Sequence, residues 1–450
     1  MRSKAARVAL LVAAVAAVAL IVWLLARPRE SATAPAAPRV VIIGVDGLDW
    51  EIARAAVAEG RMPHLERLVE EGASGPLQSI PPFISPSIWT TIATGKREDK
   101  HGIRSFLATR RHGSVTAPTT SNMRKAKALW QIAGDRGLTV GFIGWLVTWP
   151  AERVNGYMVS SLFERLVASS AEQGAGDSGA AAGEVDDSGA AYPAALVQSL
   201  NDFVVRPQDL PDETVARLLG PTRRADDAET AACEADLRRY LASDLSTLAL
   251  AKQLMRSAPT DVCGVYFRGL DLSCHTFWRY RSPGEWPDDI PPGQVETFGP
   301  VIDRYYSFAD SLIGEIAEAA GDAVVLVCSD HGFGGHGDPG GDKPLIGTAM
   351  HRDRGVIAVA GPGVRRGAAV ADAGVLDVTP TVLAILGLPV GRDMDGRVLV
   401  EVLPEDALTE RPVAFIQTHE SEGTRGDSEP IPSPVDDEIK EMLRSLGYIE

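Results

Sequence analysis

The chain has 450 residues, with 60 acidic side chains against 44 basic ones and a formal net charge of -16. That balance argues against binding to a nucleic acid duplex, whose backbone is held by basic surface that releases counterions. An anionic small molecule stays open as a ligand, because a bound cation can supply the positive charge the chain lacks.

The size suits one large α/β domain with an insertion, or two ordinary domains. Arg2, Lys4 and Arg7 precede an apolar run from Val8 to Ala26. About 19 residues at 1.5 Å each just cross a hydrocarbon core of about 30 Å. Residues 1–30 therefore read as an uncleaved signal anchor, a transmembrane helix. Ala32-Thr33-Ala34 offers the alternative of a cleaved signal peptide. Residues 31–38, rich in Ala and Pro, read as a tether. Either topology puts the rest of the chain outside the cytoplasm, periplasmic or extracellular.

Next comes the run VVIIGVDG from Val40 to Gly47, which predicts a buried parallel strand delivering Asp46 at its carboxyl end. Asp49 to Glu71 reads as helical, and a second helix follows Ser85. Strands are predicted at Leu138–Ile143, Asp261–Phe267, Ala323–Cys328 and Gly355–Ala360, with helices between several of them. The alternation predicts an α/β fold: a three-layer α/β/α arrangement around a mostly parallel, doubly wound sheet. Ser169 to Ala191, dominated by Ala, Gly, Ser and acidic residues, reads as a mobile loop. It falls inside a helical, charged stretch, 161–250, expected to be a cap inserted over the sheet edge. Segments 39–160 and 251–403 then form the catalytic domain, and 404–450 a polar tail with a short helix near Asp437–Leu446. The four cysteines (Cys233, Cys263, Cys274, Cys328) contain no CxxC pair, which argues against a zinc ribbon or thioredoxin-like site. Cys263 and Cys328 fall on strand-like runs and are expected to be buried thiols.

Three strand ends carry metal-ligating residue types. Asp46 ends the first strand, Asp271 and His275 follow the strand ending near Phe267, and Asp330 and His331 follow Cys328. His351 precedes the strand at Gly355. Asp and His are the donors that zinc and its neighbours favour, and an Asp and a His four apart share one side of a helical turn. Each piece alone has an ordinary explanation, above all helix capping by Asp46. Their recurrence at the ligand-binding edge of an α/β sheet is the signal. The segment Ser85-Pro86-Ser87 opens a predicted helix with Pro86 at its first position and Ser85 as N-cap. A hydroxyl there either caps the helix or, placed at the positive end of the dipole, serves as a nucleophile towards phosphate. Ser87 is the alternative.

The stretches VVIIGVDG, SPSIWTTIATG followed by KHGI, YFRGLDLSCHTFWRY, VVLVCSDHGFGG, HRDRGVIAVAGPGV and DVTPTVLAILGLPVGRDMDGRVL occur in that order. As a set they resemble the alkaline phosphatase superfamily, in its type I phosphodiesterase/nucleotide pyrophosphatase branch, over about 39–160 and 245–402. The resemblance implies two divalent metal ions, expected to be zinc. One would be held by Asp271, His275 and His351, the other by Asp46, Asp330 and His331, with Ser85 bridging to the second as the catalytic nucleophile. His336 competes with His351 for the last ligand position, and Asp377 is expected to cap the following helix. The implied reaction is hydrolysis of a phosphodiester, from a small molecule or lipid headgroup, through a phospho-serine intermediate. Alternatives are a phosphomonoesterase or phospho-group transferase of the same superfamily, or a membrane-anchored binding protein on an inactive scaffold. The sequence around Ser85 lacks the Cys/Ser-x-Pro-x-Arg context of sulfatases. It also lacks the asparagine that nucleotide pyrophosphatases carry after the His-Gly-Ile segment, where Arg104, Ser105 and Phe106 stand instead. Pro86 has no N–H for an oxyanion, which leaves the Ser87 amide to serve. Arg104, Arg124, Lys125, Lys127, Arg268 and Arg279 are the cations near these motifs.

Overall fold

Strand β1 (Val40–Val45) is apolar and buried at every position, as a central strand covered on both faces must be. Its side chains alternate between faces: Val41, Ile43 and Val45 enter one hydrophobic core, Val40 and Ile42 another. The computed structural model describes residues 38–109, 116–174, 188–220, 228–286, 289–334, 347–421 and 428–449.

Among the described residues, nine further strands join β1 in one ten-stranded sheet. They are β2 (Ala73–Gln78), β3 (Val140–Ile143), β4 (Gly156–Val159), β5 (Ala191–Tyr192), β6 (Val262–Phe267), β7 (Val324–Cys328), β8 (Arg354–Ala360), β9 (Ala368–Ala369) and β10 (Ala373–Gly374). The order is β9-β2-β8-β7-β1-β6-β3-β4-β5, with β10 also paired to β2. β1 runs parallel to β6 and β7, and β3 runs parallel to β6 and β4. β8 lies antiparallel between β7 and β2, and β5 closes the far edge antiparallel to β4. Register decides where the chemistry sits. Val45 pairs with Phe267 and Gly44 with Cys328, so β1, β6 and β7 end level and release their next residues at one edge.

Helices cover both faces. α1 (Trp50–Ala58), α3 (Ala228–Ser257), α4 (Gly269–Arg281), α5 (Val301–Ala320) and α7 (Asp436–Ser445) contribute to the core that holds Val41. α2 (Ser85–Thr94) and α6 (Val378–Ile385) contribute to the core that holds Val40. Each fully buried Val, Leu or Ile in these layers contributes about 1.5–3 kcal/mol. The architecture is the three-layer α/β/α arrangement with a mostly parallel sheet.

Several expectations change. The transmembrane anchor is not supported: no helix among the described residues is long and apolar enough to cross a membrane. Residues 1–37, with the run at Val8–Ala26, lie outside the described residues. The loop expected at 169–191 is structured at both ends. Phe163–Gly174 is helical, and Ala191 pairs with Val159 as an edge strand because its small side chain is 7% exposed against the core. Residues 175–187 lie outside the described ones. The helical stretch expected as a cap shares the main core, since Leu237, Leu241, Leu250 and Ala251 of α3 are buried in it. Val435, Ile439, Leu443 and Leu446 of the 404–450 tail all enter the same core. The four cysteines are buried free thiols.

Candidate functional site

At the level ends of β1, β6 and β7 the backbone turns so that acids face one another. Gly47 has φ +69°, and a Cβ there would stand 3.1 Å from the Asp271 Cα, so only glycine lets the chain leave β1 this close to α4. The helix that follows is capped by Asp49, which accepts from the amides of Glu51 and Ile52. Capping is thereby done without Asp46, whose side chain is free to face the cluster.

Each acid has one oxygen tied down and, among the described residues, one without a hydrogen-bond partner. Asp46 Oδ2 accepts from Trp89 Nε1 at 3.1 Å and from the Tyr266 hydroxyl, while its Oδ1 has no hydrogen bond. Asp330 Oδ1 accepts from the Gly47 amide at 3.4 Å, and its Oδ2 has no partner. Asp271 Oδ2 accepts from the Tyr448 hydroxyl at 3.3 Å, and its Oδ1 has none. The imidazoles are oriented in the same sense. His351 Nδ1 donates to the Phe83 carbonyl at 2.7 Å and His331 Nδ1 to the Gly332 carbonyl at 3.0 Å. A carbonyl only accepts, so each Nε2 is left with its lone pair towards the acids. His331 Nε2 lies 3.3 Å from Asp46 Oδ1, 3.3 Å from Asp330 Oδ2 and 3.9 Å from Asp271 Oδ1. His275 and His351 each place Nε2 3.5 Å from Asp271 Oδ1.

Burial and like charge set the acid–base character of the cluster. Burial, with the Asp330 and Asp271 charges beside it, pushes Asp46 well above the usual carboxylate range. Burial raises Asp330 to about 7. Burial also works to raise Asp271, but the neighbouring imidazoles, His275 first, outweigh it and hold Asp271 below its ordinary value. His351 is pushed well below the usual imidazole range by burial and by His331, whose ring stacks on it at 3.6 Å.

Three unpartnered, buried carboxylate oxygens are costly unless a cation meets them. The donors that converge here, carboxylate oxygen and neutral imidazole nitrogen, are those of zinc and its neighbours. Among the described residues, Asp46, Asp330 and His331 have all their donors within 4.8 Å of one another, and so do Asp271, His331 and His351. The residues present therefore fit a pair of divalent ions. His331 belongs to both triads, whereas His275, expected in the second, reaches it through contacts with Asp271 and with His351 Nε2 at 3.0 Å. His336, the alternative to His351, lies outside the described residues.

Ser85 is buried beside this cluster, with Oγ 3.3 Å from His331 Nε2. Helix α2 begins one residue earlier than expected, with Ile84 as N-cap and no side-chain cap, so the Ser85 hydroxyl does not cap it. Ser87 turns its hydroxyl towards Glu98 at 3.5 Å. Its amide donates to the Ile84 carbonyl at 2.9 Å, which removes it as the expected oxyanion donor. Asp377 also differs from expectation: its carboxylate accepts from the amides of Gly374 and Arg397 and does not cap α6. Of the nearby cations, Arg124 pairs with Glu152, Lys127 with Asp135, Arg268 with Glu164 and Arg279 with Glu229.

One residue of the site escaped the sequence reading. The Tyr448 hydroxyl stands 2.6 Å from His275 Nε2 and 3.3 Å from His351 Nε2. The readable signal was the spacing Ile439, Leu443, Leu446, an apolar stripe that marks a docking helix just before it.

Comparison with known proteins fits this arrangement. The family model of type I phosphodiesterase / nucleotide pyrophosphatase matches residues 40–377. No curated protein matches the chain. Among solved structures, BT1596, a 2-O GAG sulfatase, is 13% identical, over 85% of this chain and 76% of that one, with a TM-score of 0.47. A putative sulfatase from Bacteroides thetaiotaomicron is 13% identical over the same shares, with a TM-score of 0.48. Phosphonoacetate hydrolase from Sinorhizobium meliloti is 19% identical, over 68% of this chain and 60% of that one, with a TM-score of 0.41. Scores and identities this low carry no argument about chemistry. The family match, spanning all of the cluster's strand ends, does: the chain belongs to the type I phosphodiesterase / nucleotide pyrophosphatase family, within the alkaline phosphatase superfamily of hydrolases.

Proposed function

We propose that the protein hydrolyses phosphodiesters of small molecules, with Ser85 as nucleophile and two divalent ions held by Asp46, Asp271, His275, Asp330, His331 and His351. The observation that carries this reading is the convergence of three unpartnered carboxylate oxygens on the side of the Ser85 hydroxyl. Two bound divalent cations would offset the three carboxylates, acidify the serine hydroxyl and stabilise charge on the phosphoryl oxygens.

The residues do the rest. Ser85 gives up its proton, its oxygen bonds to phosphorus, and the ester oxygen leaves with its bonding electron pair and takes up a proton to become the free alcohol. Water then attacks the phospho-serine and releases the product, restoring the hydroxyl. Trp89 and Tyr266 hold Asp46, and the Gly47 amide holds Asp330, so that the free oxygens keep one direction throughout. The amides of Ser87 and Ile88 are already donated to Ile84, and Pro86 has none, so the amides that follow Ser85 offer the phosphoryl group little direct hydrogen bonding. Preference for a diester over a monoester is supported by the surrounding cations. A dianionic monoester calls for an extra positive side chain, and four of the six cations near the motifs, Arg124, Lys127, Arg268 and Arg279, are paired with acids elsewhere.

The test is turnover by the purified chain, supplied with Zn2+ or Mn2+, of a bis-aryl phosphate against an aryl monophosphate. Metal-dependent cleavage favouring the diester is expected. A preference for the monoester would transfer the reading to phosphomonoester hydrolysis, and turnover unaffected by chelation would defeat it.

A further inference from the structure

Tyr448 reaches the cluster from the far end of the chain, and its approach is built rather than incidental. α7 is docked through Ile439 and Leu443, with Leu446 buried just beyond its end. Gly447 then turns the chain at φ +77°, while the Tyr448 amide closes the helix end on the Leu443 carbonyl at 2.9 Å. The phenol ring lies against Phe106, with centroids 4.6 Å apart.

At the end of that path the hydroxyl joins three donors already described. Asp271 Oδ1 is 3.5 Å from both His275 Nε2 and His351 Nε2, and those two nitrogens are 3.0 Å apart. The Tyr448 hydroxyl is 2.6 Å from His275 Nε2, 3.3 Å from His351 Nε2 and 3.3 Å from Asp271 Oδ2. Four donors sharing one ion tetrahedrally, each at about 2.0–2.1 Å, stand about 3.3–3.5 Å from one another. Among Asp271 Oδ1, the two Nε2 atoms and the Tyr448 oxygen, three separations have that size, at 3.5, 3.5 and 3.3 Å, and two are shorter, at 3.0 and 2.6 Å. An ordinary buried tyrosine needs one acceptor; this one faces three groups that are themselves donors to a metal.

We infer that the Tyr448 oxygen is a fourth protein donor to the ion held by Asp271, His275 and His351, a claim that rests on the two-metal reading above. The C-terminal segment is then part of the metal centre. A chain with four protein donors at one ion and three plus Ser85 at the other holds its two ions in unlike surroundings.

The experiment is metal binding by the full-length chain, stripped with chelator and titrated with Zn2+ against a competing chelator, for wild type and Tyr448→Phe. Phenylalanine keeps the ring on Phe106 and removes only the oxygen. Wild type is expected to take up two ions, and the variant to lose affinity at one of them by about tenfold or more. The Co2+-loaded variant should also show an altered visible ligand-field spectrum, while metal-free melting temperatures stay equal. Equal affinities and equal Co2+ spectra would overturn the inference and leave the two-metal reading standing. Wild type taking up no ion would overturn both. A chain ending at Leu446 gives the same readout should Tyr448→Phe fail to fold: one weakened site supports the inference, and two unchanged sites overturn it.

Discussion

At the residue scale, the contrast between Ser85 and its neighbours supports the role proposed for it. A serine opening a helix ordinarily caps it, and its hydroxyl then bonds an amide two or three residues on. Ser85 makes no such bond and sits 3.3 Å from His331 Nε2 instead. Ser85→Ala should therefore leave the helix and the metal ligands intact yet cut diester turnover by about a thousandfold or more. Melting temperature and bound metal, measured beside activity, separate this from a structural defect, and activity close to wild type would shift the nucleophile elsewhere. Asp46 was legible from the sequence as the residue closing an apolar strand. What the sequence left open was whether it caps the next helix; Asp49 settles that by doing so itself. Tyr448 was not legible as a site residue: the apolar spacing of Ile439, Leu443 and Leu446 marks a docking helix, but the partners of Tyr448 lie about a hundred residues or more away along the chain, and the stripe does not say what its far end meets.

At the element scale, α4 carries two of the proposed ligands and depends on a buried acid from another helix. Asp244 of α3 accepts from the amides of Arg268 and Gly269 at the start of α4, at 3.2 and 3.1 Å, and from the Tyr305 hydroxyl of α5 at 3.0 Å. It ties three helices together at the end of β6. Burial raises its carboxyl to about 7. A group whose folded value lies above its unfolded one contributes stability that is complete below the unfolded value and is lost as pH rises through the folded value. For Asp244 that window runs from about pH 4 to about pH 7, and the swing is at most about 4 kcal/mol. Asn keeps an oxygen for the two amides but cannot titrate. The gap in melting temperature between wild type and Asp244→Asn should shrink as pH climbs through that window, and a gap constant with pH would contradict the assignment. No sequence pattern marks Asp244 as a cap, because the helix it caps begins twenty-five residues later.

At the scale of the whole molecule, the order and ends of the strands do the assembling. The apolar runs predicted most of the central strands, since a strand buried on both faces has few polar positions to blur it. The edge was harder. Ala191 and Tyr192 make only a two-residue strand, too short for any alternation to register against the Ala, Gly and Ser before them. Level register of β1, β6 and β7 brings Asp46, Asp271 and Asp330 together, although 284 positions separate the first from the last (330 − 46). So concentrated a set of desolvated acids needs cations to stay ionised side by side. Elemental analysis of the purified chain asks this most directly. Two divalent ions per chain are predicted, with the double variant Asp46→Asn, Asp330→Asn losing one of them. A wild-type chain carrying no stoichiometric metal, after exposure to Zn2+ and Mn2+ alike, would contradict the account.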